Sequence, residues 1–142
     1  MRFEGRVIPP KKGEKFWSVV IADLKIYTQG RNEKDAYTMA KDALECLVDE
    51  KGFHAYVKPM SGNRFSVAAT DIRPLIARYL QVARSRSGLT IQEVADRMGV
   101  TSRNAYAQYE QGKATPSLEK LTQILQALDP EQDMVFKVKK FA

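Results

Sequence analysis

A single cysteine, a single histidine and a single tryptophan occur among 142 residues, and each scarcity removes a class of chemistry. Cys46 has no second cysteine to bond, so no internal disulfide forms; its expected place is that of a small buried thiol on a helix. With His54 the only imidazole, neither a two-histidine zinc helix nor a facial metal triad can be built from this chain. No glycine-rich phosphate loop is present, and no cofactor is expected. Apolar runs stay below the roughly 18 residues that a bilayer span requires, and the stretch MRFEGRVIPP lacks a secretory apolar segment. A soluble, cytoplasmic chain with no membrane partner is the expectation. Acids are the scarcer charge: 17 Asp and Glu against 23 Lys and Arg leave a net charge of +6. That surplus favours an anionic partner but falls short of an arginine-rich nucleic-acid tail. Apolar residues are plentiful, 44% of the chain, enough to bury a core in one domain or in two small ones.

The first half alternates like strands. Arg2 to Ile8 and Phe16 to Ile21 are rich in aromatic and β-branched residues, and Pro9 to Gly13 separates them as the loop of a hairpin. Ile26 to Thr28 supplies a third extended piece, ended by Gly30. From Asn32, a helix cap, the period lengthens: Ala36, Met39, Ala40, Ala43, Leu44, Leu47 and Val48 form an amphipathic stripe that Gly52 ends. After the turn Ser61-Gly62-Asn63, Phe65 to Ala68 return as a fourth strand. The order β-β-β-α-β predicts one sheet with one helix on one face, the other face or the edges being left for something else to cover.

Beyond Thr70 the pattern is helical, and a domain boundary is placed there. Asp71 is expected to cap a helix with the stripe Ile72, Leu75, Ile76, Tyr79, Leu80 and Ala83, closed by Gly88. Thr90-Ile91-Gln92-Glu93 is a capping box for a helix of barely two turns that buries Val94, Ala95 and Met98 and breaks at Gly99. Thr101 is expected to cap the next helix, which closes on Gly112. Ser117, after Pro116, caps one bearing Leu118, Leu121, Ile124, Leu125 and Leu128. Two short helices joined by a glycine turn, with small Ala95 at their crossing, make a helix-turn-helix arrangement. In its second helix Ala105, Tyr106 and Tyr109 face the core, while Ser102, Arg103, Asn104 and Gln108 project elsewhere. Arg, Asn and Gln so placed are the side chains that bond bidentately to guanine or adenine edges in a major groove.

Residues 89 to 116, running Leu-Thr-x-x-Glu-Val-Ala-x-x-Met-Gly-Val-Thr and then Tyr-Glu-x-Gly-Lys-Ala-Thr-Pro, resemble the helix-turn-helix domain of Xre/Cro-type repressors over roughly residues 72 to 128. The resemblance implies base reading by Ser102, Arg103, Asn104 and Gln108 on double-stranded operator DNA, and phosphate contacts from Gln92, Thr101 and Lys113. It also implies an internal ion pair between Arg84 and Glu110, read as architecture. One departure is Ile91, where the family often carries a phosphate-binding Gln; Gln92 is its substitute. Between Arg73 and Lys113 seven basic side chains, Arg73, Arg78, Arg84, Arg86, Arg97, Arg103 and Lys113, outnumber the acids Glu93, Asp96 and Glu110 by four. One such helix reads only a few base pairs, so a homodimer or higher homo-oligomer is expected. Residues 134 to 140, alternating apolar and polar, read as a C-terminal strand that pairs with its copy in a second subunit, or else as a tail packed on its own domain.

Phe16 to Leu24, then Tyr27-Thr28-Gln29-Gly30 and the alanine-bearing Glu33 to Leu44, resemble the N-terminal domain of HicB-type antitoxins. Many members have Pro before the Asp where this chain has Ala22, and Gly-Cys where it has Ile26-Tyr27. The resemblance implies an α+β chain, with a partial ribonuclease-H-like toxin-binding unit over residues 1–69 and a helix-turn-helix DNA-binding and dimerisation unit over 70–142. It also implies a biology: neutralisation of a HicA-type mRNA-cleaving toxin by steric occlusion, and repression of the shared operon. Trp17, Asp23 and Tyr27 are the toxin-facing candidates, although core packing suits Trp17 at least as well. Catalysis is not expected, since nothing in the spacing of Asp23, Glu45, Asp49 and Asp71 forces these acids together around metal ions. A plain repressor, whose first domain binds a small ligand or only oligomerises, is the alternative.

Overall fold

A computed structural model describes residues 1 to 140. Five strands form one antiparallel sheet: β1 (Phe3–Ile8), β2 (Trp17–Ile21), β3 (Ile26–Gly30), β4 (Ala55–Pro59) and β5 (Arg64–Ala69), in the order β3-β2-β1-β5-β4. Helix α1 (Glu33–Val48) crosses between β3 and β4, and α2 (Arg73–Ser87), α3 (Ile91–Arg97), α4 (Asn104–Glu110) and α5 (Leu118–Leu128) follow. Among the described residues no helix is long and apolar enough to cross a membrane.

The sheet buries one face. Val7, Val19, Ile21, Ile26, Phe65 and Val67 point toward Ala36, Ala40 and Leu44 of α1, and Tyr37 meets Phe65 edge-on, ring centroids 5.9 Å apart. The small residue between Phe3 and Val7 has a steric cause, because a Cβ on Gly5 would overlap the Phe65 ring. Gly30 is constrained in the same way by the backbone of Ala36 at the start of α1. Asn32 caps that helix by accepting the Asp35 N–H at 2.8 Å.

The second core holds Ile76, Leu80, Val94, Ala95, Tyr106, Leu121, Ile124, Leu125 and Leu128. Helix α2 serves both cores: Leu75 packs with the sheet, Ile76 and Leu80 with the helices, and Tyr79 meets the Phe3 ring at 6.0 Å. Two arginines tie it further to the 3-10 turn Ala22–Leu24, Arg78 Nε donating to Leu24 O at 2.9 Å and Arg86 Nη2 to Ala22 O at 2.7 Å.

Several sequence expectations need correction. A fifth strand, β4, stands where none was expected; it is a short edge strand ending at Pro59, with only Ala55 and Val57 turned inward. Helix α1 ends before Gly52, because Asp49 takes the left-handed conformation (φ 49°) and its N–H closes on Glu45 O. Cys46 is exposed rather than buried, two residues past Leu44 and so on the side of α1 away from the Ala36, Ala40, Leu44 stripe, and Leu47 is 43% exposed in the last turn. Asp71 does not cap α2 at its N-cap position; its carboxylate takes the Arg73 N–H and chelates the Arg73 guanidinium. Leu118 is 59% exposed at the first position of α5, outside that helix's buried stripe. Residues 134 to 140 form no strand; Met134 packs on the second core while Val135, Phe136 and Val138 face solvent. In the single chain both sheet edges lie elsewhere, so this segment has no ladder to join. Replacing Gly5 with Ala should displace the Phe65 ring and cost about 1–3 kcal/mol, read as a lowered urea midpoint with an unchanged slope.

Candidate nucleic-acid interface

Helices of seven residues do not persist on their own. Local signals and tertiary anchors hold α3 and α4 in place. Thr90 accepts the Glu93 N–H, and Glu93 accepts the Thr90 N–H, both at 3.1 Å, so the capping box is complete. Gly99 (φ 73°) turns the chain, and the Val100 N–H closes on Ala95 O. Val94 and Ala95 are fully buried, which brings α4 close across α3.

The anchor of α4 is a buried network at its C-terminal end. Glu110 is 5% exposed, and both of its oxygens take the Arg84 fork, Nε to Oε1 at 2.6 Å and Nη2 to Oε2 at 3.1 Å. The Tyr106 hydroxyl donates to the same Oε1 at 2.5 Å, and Gln81 Nε2 donates to the Glu110 carbonyl at 2.7 Å. Arg84 also reaches Leu89 O at 3.0 Å, tying down the turn after α2. The hydrogen bond to Glu110 raises the Arg84 pKa. Burial first, and then the Glu110 carboxylate, push the Tyr106 hydroxyl far above the ordinary tyrosine value. Arg84 and Glu110 thus stand together; Tyr106, the third member, was read from sequence only as an apolar core residue. Its position four residues before Glu110 on one helix is the signal that identifies it.

At the other end of α4, Arg103 and Asn104 are exposed, and neither side chain has a hydrogen bond or ion pair among the described residues. Ser102 is exposed too, but its hydroxyl accepts the Asn104 N–H at 3.2 Å. Thr101 does not cap α4: the N-cap residue is Arg103, with no side-chain cap bond, and the Asn104 N–H is met by Ser102 from just outside the helix; Thr101 is exposed with no side-chain bond among the described residues. Gln108 is half-buried, and its amide donates to Ala105 O at 3.3 Å, which leaves the side-chain oxygen available. Gln92 is engaged within α3 through a 2.8 Å bond to Asp96. Lys113, just past Gly112, is exposed and unpaired among the described residues.

Most of the seven cations counted from sequence along residues 73 to 113 are tied down within the chain. Arg73 is held by Asp71, Arg84 by Glu110, Arg78 and Arg86 by carbonyls of the 3-10 turn, and Arg97 by Ala127 O at 3.2 Å. Arg103 and Lys113, one on each side of α4, are the two cations of that set with no such tie.

The three toxin-facing candidates do not converge. Trp17 is half-buried on the helix-covered face, Tyr27 is 63% exposed on the opposite face, and Asp23 is exposed in the 3-10 turn at the end of the sheet. Among the other acids, Glu45 accepts the Ala55 N–H and Asp71 holds Arg73, so both have structural partners.

Residues 75–135 match the family model described as a helix-turn-helix domain. Comparison with curated proteins found no match. Over these residues the chain is similar to a helix-turn-helix domain, which suggests DNA binding and transcription regulation.

Replacing Arg84 with Met strands a buried carboxylate and should cost about 3–5 kcal/mol. Replacing Arg84, Glu110 and Tyr106 together with Met, Leu and Phe should cost less than that single change, as urea melts of the two variants will show. The network also gives an alkaline signature. Tyr106 keeps its proton in the folded chain while an unfolded tyrosine releases it near pH 10, so this part of the stability is present below pH 10 and lost above it. Tyr106→Phe should therefore flatten the decline in melting temperature between about pH 9.5 and 11.

Proposed function

We propose that this chain is a non-enzymatic, cytoplasmic repressor that binds a palindromic operator as a homodimer or higher homo-oligomer. The observation that carries this reading is the free Arg103 and Asn104 at the start of a helix whose far end is locked by a buried ion pair. Arg103 and Asn104 enter the major groove and bond base edges, Ser102 and Gln108 complete the reading surface, and Lys113 and Thr101 take phosphates. With its amide on Asp96, Gln92 contributes to phosphate binding only by exchanging that partner.

For the N-terminal unit we infer an antitoxin role: occlusion of a HicA-type mRNA-cleaving toxin, with repression of the shared operon by the helix-turn-helix domain. The resemblance of Phe16 to Leu24 and of α1 to HicB-type antitoxins supports it, as does the presence of a sheet-and-helix unit ahead of the DNA-binding domain. Of the three candidates, Asp23 has the exposed negative charge that suits a small basic toxin. The competing reading, a plain repressor whose first domain binds a small ligand or only assembles the oligomer, predicts no protein partner.

Arg103→Ala should relax base preference at one position of each half-site in a binding-site selection; an unchanged preference removes Arg103 from the readout. Lys113→Ala should weaken all sequences alike and reduce the salt slope by about one. Co-expression of the full chain with a small basic RNA-cleaving protein encoded beside it should restore growth and yield a stable complex, weakened by Asp23→Lys. Growth arrest with no complex favours the plain repressor.

A further inference from the structure

On the face of the sheet turned away from α1, Arg6, Arg64, Tyr27 and Tyr56 are exposed, whereas Ser66 is buried and Tyr27 borders a cleft with Arg78 and Gln81 of α2. Directly paired residues share a face, so the register sets Tyr27, Val20, Arg6 and Arg64 in one row across β3, β2, β1 and β5. A neighbouring row holds Glu4, Ser66 and Lys58, and Arg2 reaches Ser66 Oγ at 3.0 Å.

Two features of this face do nothing for the fold. Arg6 stands directly opposite Arg64, a like-charge pair that weakens a ladder. Arg64 has only the distant Glu4 carboxylate, 3.9 Å away, and the Ser61 carbonyl at 3.4 Å, while Arg6 is exposed with no side-chain partner among the described residues. The second feature is aromatic: Tyr27 and Tyr56 are 63% and 55% exposed on this side, one near each edge of the sheet. Arg2, Arg6, Lys58 and Arg64 thus share the face with a single acid, Glu4.

We propose that this open face binds a single-stranded polynucleotide, with Arg6 and Arg64 on its phosphates and a base stacked on the Tyr27 ring. Tyr27 lies two strands from Arg6, about 10 Å at the usual interstrand spacing, within reach of one strand lying across the sheet. A duplex hides the base faces that a tyrosine ring recognises, and four cations around a single acid suit a phosphate backbone. The site lies on the sheet and uses none of the residues assigned above to operator binding.

The test is fluorescence anisotropy on the full chain, with a single-stranded RNA of about 12 nucleotides, its DNA counterpart, and an unrelated duplex at two salt concentrations. The single strand should bind with an affinity that falls with salt, and the RNA and DNA arms identify which sugar is preferred. Arg6→Gln/Arg64→Gln should lower that affinity about tenfold or more and Tyr27→Ala about fivefold or more, with melting temperature and operator binding unchanged. Removing a like-charge pair should not unfold the sheet, and Tyr27→Ala tests the site separately. No single-strand binding by the unaltered chain overturns the proposal, as does equal binding by the arginine variant. Loss confined to Arg103→Ala and Lys113→Ala places the strand on α4 instead, and displacement by polyglutamate at equal charge reassigns the face to an acidic protein; either result also overturns it.

Discussion

Glu110 is a carboxylate almost wholly removed from water, and the helical half of the chain is arranged around making that tolerable. A buried charge of this kind is stabilised only if its lone pairs are filled by well-placed donors. Here the Arg84 fork and the Tyr106 hydroxyl supply them, and the three residues come from α2 and α4 alone. The result is a fixed relation between the first helix of the bundle and the helix that presents Arg103 and Asn104. Apolar contacts alone are non-directional and would leave a seven-residue helix free to rotate about its axis. A forked ion pair has a single good geometry, and it converts packing into aim.

The same residue type does different work elsewhere. Arginines that counted toward a basic face turn out to be braces: Arg78 and Arg86 bind carbonyls of the 3-10 turn, Arg97 binds the end of α5, and Arg73 closes on Asp71. Their charge still contributes to the field around the domain, but their guanidinium donors are occupied. A linear sum of charge cannot separate these two uses, because both call for arginine.

What the sequence revealed follows from how local each signal is. The Thr90-Glu93 box, the Asn32 and Ser117 caps and the glycine after α3 all depend on neighbours within four residues, and all stand as read. The Arg84–Glu110 pair, 26 residues apart, came only from the family resemblance. Strand β4 escaped because the period-two pattern of Ala55 and Val57 is faint and Pro59 argues against a strand. Thr101 and Ser102 are adjacent hydroxyls, and a choice between them depends on the backbone of the turn, which composition does not specify. Leu47 shows the limit of helical periodicity: it lies near the buried stripe, but in the last turn of α1, where the core no longer covers it.

Only Thr70, Asp71 and Ile72 lie between the last strand and α2, and none of them is slack: the Thr70 N–H bonds His54 O, Asp71 grips Arg73, and Ile72 packs against both cores. The bundle therefore inherits its orientation from the sheet. In the homodimer proposed above, the distance between the two α4 helices would be a property of the whole subunit, and anything that draws the two sheets together or holds them apart would act as a gauge on half-site spacing.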